Sequence, residues 1–204
     1  MNGIFWKVIY VIVIGAVAAG VIFVLLNFSY FSQQAVYFFD RTFVTDVQRE
    51  FRQSEHPVTQ KPNELYIPSL EIRAPIIYIE ETGEPAFQAA LQKGVVHYPG
   101  TAKFGEVGNS YLFGHSSDFA LKKGDYKTVF AILPNIELGA EILVSDENGK
   151  IFKYKVYDKL VAEKTDLHLL GQETNGAKIL TIQTSYPIGT ALKRYIVKAE
   201  LRGE

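Results

Sequence analysis

The sequence predicts an all-β domain, a barrel or sandwich with short helices, that follows one N-terminal transmembrane helix. Residues 8–26 are uncharged and largely apolar, whereas residues 64–204 contain many short runs of β-branched and aromatic residues. In the longest run Phe152, Tyr154 and Val156 alternate with lysine and tyrosine neighbours. A period of two is typical of a strand with one buried face.

The apolar segment is long enough to cross a membrane. Its nineteen residues before Asn27 approach the roughly 20 that a helix needs to span the hydrocarbon core. A signal peptide is the alternative, because the Ala-Val-Ala at 16–18 resembles a cleavage site. The apolar run continues past it, however, and exceeds the ~7–15 residues usual in signal peptides.

Charge next to the helix predicts its orientation. Lys7 precedes it, and no basic residue follows before Arg41; positive charge favours the cytoplasmic side. We therefore predict a cytoplasmic tail at 1–7, an anchor at 8–28 in the cell membrane, and an extracytoplasmic domain at 64–204.

Residues 29–63 are predicted to form a juxtamembrane helix and a linker. An aromatic group suited to the membrane interface follows the anchor: Tyr30, Phe31, Tyr37, Phe38 and Phe39. From Phe39 onward, apolar residues recur at helical spacing as far as Phe51. Pro57 and Pro62 then mark the polar segment 54–63 as a linker.

The domain itself is predicted to be rich in strands. The runs are 65–67, 76–79, 110–113, 141–144, 150–160, 178–184 and 194–201. Residues 146–149, Asp-Glu-Asn-Gly, form a predicted hairpin turn. Helical patterns are restricted to 85–91 and 126–132.

Composition excludes several classes of function. The chain has 21 Lys and Arg against 22 Asp and Glu, without a basic block, so nucleic acid is not an expected partner. It has no cysteine and therefore neither a disulfide nor a thiol nucleophile. Since metal-ligand spacing is also missing from the sequence, no cofactor is expected.

Four histidines are candidates for acid–base chemistry: His56, His97, His115 and His168. His56 lies in the predicted linker and His168 in a surface-like segment. His115 follows a predicted strand and Gly114, which places an imidazole where a strand enters a loop. Such a histidine serves either structure or general acid–base catalysis.

A second candidate group lies near the C-terminus. A predicted strand ends at Ser185 just before Pro187, and Arg194 begins the last strand nine residues later. A tight loop between these strands would bring Arg194 back to Ser185, where it could stabilise negative charge. A solvated arginine and an ordinary turn serine are the alternatives.

Together these residues resemble the sortases, membrane-anchored transpeptidases of the cell surface. That family carries Thr-Leu-x-Thr-Cys at a strand end, an arginine eight or nine residues later and an upstream histidine. Here Thr-Ile-Gln-Thr-Ser stands at 181–185, followed by Arg194, with Gly114 and His115 upstream. The resemblance extends over about 65–201 and includes His-Tyr-Pro-Gly-Thr at 97–101.

The resemblance implies an eight-stranded β-barrel and a reaction. A sortase cleaves a sorting signal, commonly Leu-Pro-x-Thr-Gly, through an acyl-enzyme and passes it to an amine. The implied partners are surface-protein sorting signals, an amine acceptor (cell-wall precursor or pilin lysine) and the membrane. Ser185 stands at the nucleophile position, His115 at the acid–base position and Arg194 at the position that holds substrate and oxyanion, with Thr184 beside it. His97 is expected either to line the groove or to serve structure.

Serine at the nucleophile position departs from the family pattern. A cysteine is partly thiolate near neutral pH, whereas a serine needs an adjacent base to react. Three explanations stay open: an engineered replacement of cysteine, a natural pseudo-sortase that binds peptides without catalysis, and a true serine transpeptidase. The function expected from the resemblance is therefore a sortase-like transpeptidase that is disabled or impaired by Ser185.

Overall fold

Two helices precede the domain. The computed structural model describes residues 2–43, 61–117, 125–187 and 189–202. Helix α1 is Asn2–Leu26 and helix α2 is Phe28–Phe43. Within α1, Ile4–Leu26 has a mean hydropathy of 3.0, is unburied, and is long and apolar enough to cross a membrane. This helix is compatible with a single-pass anchor; the predicted boundaries at 7 and 28 stay predictions.

Asn27 separates the two helices. Its side chain donates from Nδ2 to the carbonyl of Phe23 at 2.9 Å, and its carbonyl accepts from the amide of Tyr30 at 3.0 Å. Asparagine competes for backbone hydrogen bonds in this way and interrupts helices. The predicted helical pattern beyond Phe43 and most of the predicted linker 54–63 lie outside the described residues.

The domain is a closed barrel of eight strands in the order β1-β2-β3-β4-β7-β8-β6-β5, which confirms the predicted fold class. The strands are β1 Glu64–Ile67, β2 Ile72–Tyr78, β3 Val95–His97, β4 Gly108–Phe113, β5 Glu141–Ser145, β6 Ile151–Glu163, β7 Lys178–Tyr186 and β8 Lys193–Leu201. Helix α3, Glu84–Leu91, confirms the helix predicted at 85–91. Short 3-10 turns are found at Pro68–Leu70, Leu133–Asn135 and Leu167–Leu170.

One strand was missed by the sequence analysis, and one predicted helix was wrong. Strand β3 was not predicted, because its three residues are all buried and a fully buried run shows no alternation. Residues 126–132 form successive turns instead of a helix. The amides of Val129 and Ala131 there donate to carbonyls three residues earlier, and β-branched residues followed by Pro134 disfavour a continuous helix.

Strand β7 is central to the site because it pairs in parallel with β4 and antiparallel with β8. Leu180 and Ile182 point into the barrel core, where both are fully buried. Successive side chains of a strand point to opposite faces. Gln183 and Ser185 therefore point to the outer face of the barrel.

Candidate active site

Ser185 and Arg194 lie opposite each other on neighbouring strands. In the register of β7 and β8, Ser185 pairs directly with Arg194, and both side chains are half-buried. Directly opposed residues share a face of the sheet with their Cβ atoms about 5 Å apart. The arrangement expected from a tight return loop is therefore present.

Strand β4 brings His115 to the same end of β7. Phe113 pairs with Gln183 in the parallel register, and the ladder continues where the amide of Gly114 donates to the carbonyl of Gln183 at 3.1 Å. The Thr184 hydroxyl, itself buried, donates to the carbonyl of Gly114 at 2.9 Å. His115 follows immediately, so its backbone lies beside Ser185.

Gly114 allows the chain to pass closely under the segment 125–132. A Cβ atom at this position would lie 2.7 Å from two ring carbons of Phe130 and 3.1 Å from Val129. Phe130 is fully buried, and its amide donates to the His115 carbonyl at 2.9 Å. A Cβ at residue 114 would therefore force either the Phe130 ring or the backbone of residue 114 to shift.

Arg194 is held by the loop that joins β7 and β8. Its Nη1 donates to the carbonyls of Ala191 at 3.2 Å and Lys193 at 3.0 Å. Burial raises the pKa of the nearby Tyr111 phenol, while the positive charge of Arg194 opposes that rise. The guanidinium therefore acts electrostatically on the outer face of β4 and β7.

Sequence reasoning missed the pair formed by Tyr111 and Gln183. The Tyr111 hydroxyl donates to Gln183 Oε1 at 2.6 Å, and Tyr111 packs with Ile196 and Leu169 on the outer face. Alternation along β4 could have placed Tyr111 on this face, but its partner is 72 residues away in the sequence. The pair lies on the outer face of the barrel, next to Ser185 on β7.

Known proteins share this architecture. A family model described as the Sortase domain matches residues 65–202. The chain belongs to the sortase family. A comparison with curated protein sequences gives no match.

Solved sortases have the same fold. Sortase D5 transpeptidase of Clostridium perfringens is 24% identical, with 81% of this chain and 94% of that chain covered and a TM-score of 0.56. A sortase E variant of Streptomyces avermitilis is 27% identical, with 70% and 89% covered and a TM-score of 0.53. The pilus-related sortase C of Group B Streptococcus is 20% identical, with 72% and 69% covered and a TM-score of 0.58.

His97 lies in a different environment from the other sortase site candidates. It is 5% exposed at the end of β3, and its Nε2 lies 3.0 Å from the carbonyl oxygen of Ala102. Its ring contacts Tyr78 and Phe104, and burial lowers its pKa. This environment favours the structural alternative, and substrate contact by His97 stays a prediction.

Acidic and histidine side chains do not gather into a metal site in the described parts of this sortase chain. His168, predicted to lie in a surface-like segment, is exposed on the 3-10 turn Leu167–Leu170. His56 lies outside the described residues. Among the three histidines that the structure describes, the backbone geometry given above places His115 next to Ser185.

Proposed function

We propose that this chain is a sortase-like transpeptidase whose peptide-recognition site is intact and whose acyl transfer is impaired by Ser185. One observation carries the proposal: the β7 and β8 register sets Ser185 opposite Arg194, while the Gly114 contacts bring His115 alongside. These are the three positions at which a sortase needs its nucleophile, its acid–base group and its cation.

The proposed chemistry starts at the carbonyl carbon of the sorting signal. Residue 185, in its deprotonated form, attacks that carbon, the peptide C–N bond breaks, and protonated His115 gives its proton to the departing amine. An incoming amine then loses a proton to His115 and displaces the enzyme from the acyl group. Arg194 stabilises the negative charge on the carbonyl oxygen, and the backbone at Thr184 lies next to it.

Serine weakens the first step. Its hydroxyl has a much higher pKa than a thiol, so attack requires a base that removes the proton during the reaction, and that base must itself be oriented. We therefore propose slow or absent acylation together with retained peptide binding.

A peptide-binding pseudo-sortase is the second candidate. The Arg194 guanidinium donates hydrogen bonds to two loop carbonyls. A cation held in this way also suits a site that binds a peptide without catalysing its cleavage. Substrate and partners are the same in both cases: a surface-protein sorting signal at the outer side of the membrane, held near the barrel by the α1 anchor with the N-terminus in the cytoplasm.

Intact-mass spectrometry of the full chain in detergent, incubated with a Leu-Pro-x-Thr-Gly peptide and an amine, tests the proposal. The variants are Ser185→Cys, Ser185→Ala and Ser185→Cys with His115→Ala. We expect no adduct on the unmodified chain within the time in which Ser185→Cys forms acyl-enzyme and amide product. The added His115→Ala change should abolish turnover again.

Peptide affinity, measured in parallel, separates the candidates. Rapid adduct formation on Ser185 itself would establish a serine transpeptidase and refute impairment. Peptide binding by every variant without an adduct on Ser185→Cys would favour the pseudo-sortase. If no variant binds the peptide, the proposed substrate class is wrong.

A further inference from the structure

Helix α2 exposes one strongly apolar face. Four phenylalanines on it are between 60% and 68% exposed: Phe28, Phe38, Phe39 and Phe43. The two charged residues of the helix, Asp40 and Arg41, line a cavity against the barrel together with Val36. We call the four phenylalanines the aromatic face of α2.

The opposite side of α2 is fixed to the domain. Gln33 Nε2 donates to Thr128 Oγ1 at 2.7 Å and Gln34 Nε2 to the Ala131 carbonyl at 3.1 Å. Arg41 pairs with Glu137 at the far end of the helix. Because these contacts set the rotation of α2, the aromatic face points away from the barrel.

The aromatic face begins where the transmembrane segment ends. Only Asn27 separates α1 from α2, so a bilayer crossed by α1 has its surface at the start of α2. At 1.5 Å per residue, the 16 residues of α2 extend for about 24 Å. Phenylalanine is common on the apolar face of helices that lie in the membrane interface, and exposed apolar patches of this kind mark interaction surfaces.

The active-site end of the barrel meets the same helix junction. A Cβ atom at Gly189, in the β7–β8 loop, would lie 3.2 Å from Asn27 Oδ1. The Gly189 amide donates to Ser117 Oγ at 3.0 Å, which ties this loop to the one that carries His115. Leu192 in the same loop is 65% exposed.

From these contacts we propose that α2 lies in the lipid interface with its aromatic face against the bilayer. The barrel then sits on the other side of α2, and its Ser185 end is held at the membrane surface. Lipid is the occupant that the structure supports, because the aromatic face continues directly from a helix long and apolar enough to span a membrane. A substrate tethered to the same leaflet would reach this site without leaving the membrane surface.

The inference rests on the proposed anchor and is independent of whether Ser185 reacts. Because the chain has no cysteine, single cysteines can be introduced without further changes. Spin labels at Phe39→Cys, Phe43→Cys and Leu192→Cys are measured in phosphatidylcholine vesicles that contain the full chain. Collisions with oxygen, which enters lipid, are compared with those of a neutral nickel complex, which stays in water.

Two matched positions calibrate the measurement. Val17→Cys reports the middle of α1. Val107→Cys reports an apolar residue that is as exposed as Phe39, at 61%, and that precedes β4, at the end of this strand away from His115. We expect the oxygen-to-nickel ratio at 39 and 43 to exceed that at 107 at least threefold and to approach the value at 17. Leu192→Cys should fall between these limits.

Each outcome decides between alternatives. A lipid-like ratio at 17 with a water-like ratio at 39 and 43 would overturn the interfacial position of α2 while the anchor stands. A water-like ratio at 17 would overturn the anchor and the inference together. Exclusion of both reagents at 39, with spin–spin broadening between chains, would show that a second copy covers the aromatic face and would also refute lipid contact.

Discussion

Replacing Gly114 with alanine tests the packing that carries His115 to the site. The added Cβ would lie 2.7 Å from two ring carbons of Phe130, and Phe130 is fully buried, so the ring has little room to move. Overpacking of this kind typically costs about 1–3 kcal/mol. For a domain of this size, that loss lowers the melting temperature by about 3–12 °C.

Thermal unfolding followed by circular dichroism measures the effect. Gly83→Ala is the matched control, because a Cβ there meets only Pro85 at 3.7 Å and the backbone φ is −87°. Alanine is a poorer N-cap residue than glycine, which destabilises the folded chain, but it also lowers the conformational entropy of the unfolded chain. These two effects roughly cancel, so the free energy of unfolding should change by about 0.5 kcal/mol or less. An unchanged melting temperature in Gly114→Ala would refute the close approach of Gly114 to Phe130.

A double-mutant cycle tests the contact itself. Phe130→Leu replaces the phenyl ring by a smaller side chain and should lower the free energy of unfolding by about 1 kcal/mol on its own. Combined with Gly114→Ala it should relieve the clash, so the double variant should be more stable than the sum of the single effects by at least about 0.5 kcal/mol. Strict additivity would place the strain of Gly114→Ala elsewhere.

Three further predictions concern neighbouring contacts. Burial lowers the pKa of His97, so the unfolded chain binds a proton more readily than the folded one. The contribution of neutral His97 to the free energy of unfolding is complete above the unfolded pKa of about 6.5. It is lost as the pH falls below that value, by at most about 1.4 kcal/mol per pH unit. His97→Gln should therefore flatten the curve of unfolding free energy against pH, whereas replacement of the exposed His168 by glutamine should not. Tyr111→Phe removes the hydrogen bond to Gln183 and should lower the unfolding free energy by about 1 kcal/mol in denaturant titration. Gln34→Ala removes the contacts of α2 to the carbonyl of residue 131 and the side-chain amide of residue 135, so amide hydrogen exchange at 125–137 should accelerate while that of β7 stays unchanged.

The sequence predicted those parts of the fold that local patterns determine. Strands β6, β7 and β8 alternate or end at clear turn residues, and a short return between β7 and β8 was enough to expect Arg194 beside Ser185. Strand β3 was missed because burial on both faces removes alternation from its three residues. The position of His97 inside the barrel follows from that same strand, so it could not be predicted either.

Long-range side-chain contacts account for most of what the sequence did not predict. Gln33 and Gln34 of α2 bind residues 95 and 97 positions later in the chain. No local periodicity records such pairs, and glutamine has no strong preference that would have indicated them. The docking of α2 on the segment after His115, and with it the direction of the aromatic face, is therefore available only from the structure.

Backbone pairing and a neighbouring hydrogen bond set the position of residue 185, and neither depends on the Oγ atom of Ser185. That position follows from the β7 and β8 register and from the Thr184–Gly114 hydrogen bond, both of which a cysteine at 185 would leave intact. Ser185→Cys therefore changes reactivity at a fixed position, since a thiol is a few per cent thiolate near neutral pH and a hydroxyl is not. Recovery of acylation in that variant would assign the impairment to one atom. A folded Ser185→Cys variant that binds peptide and stays unreactive would instead place the loss in His115 or in the Arg194 guanidinium, whose loop contacts would then have to be released before any turnover.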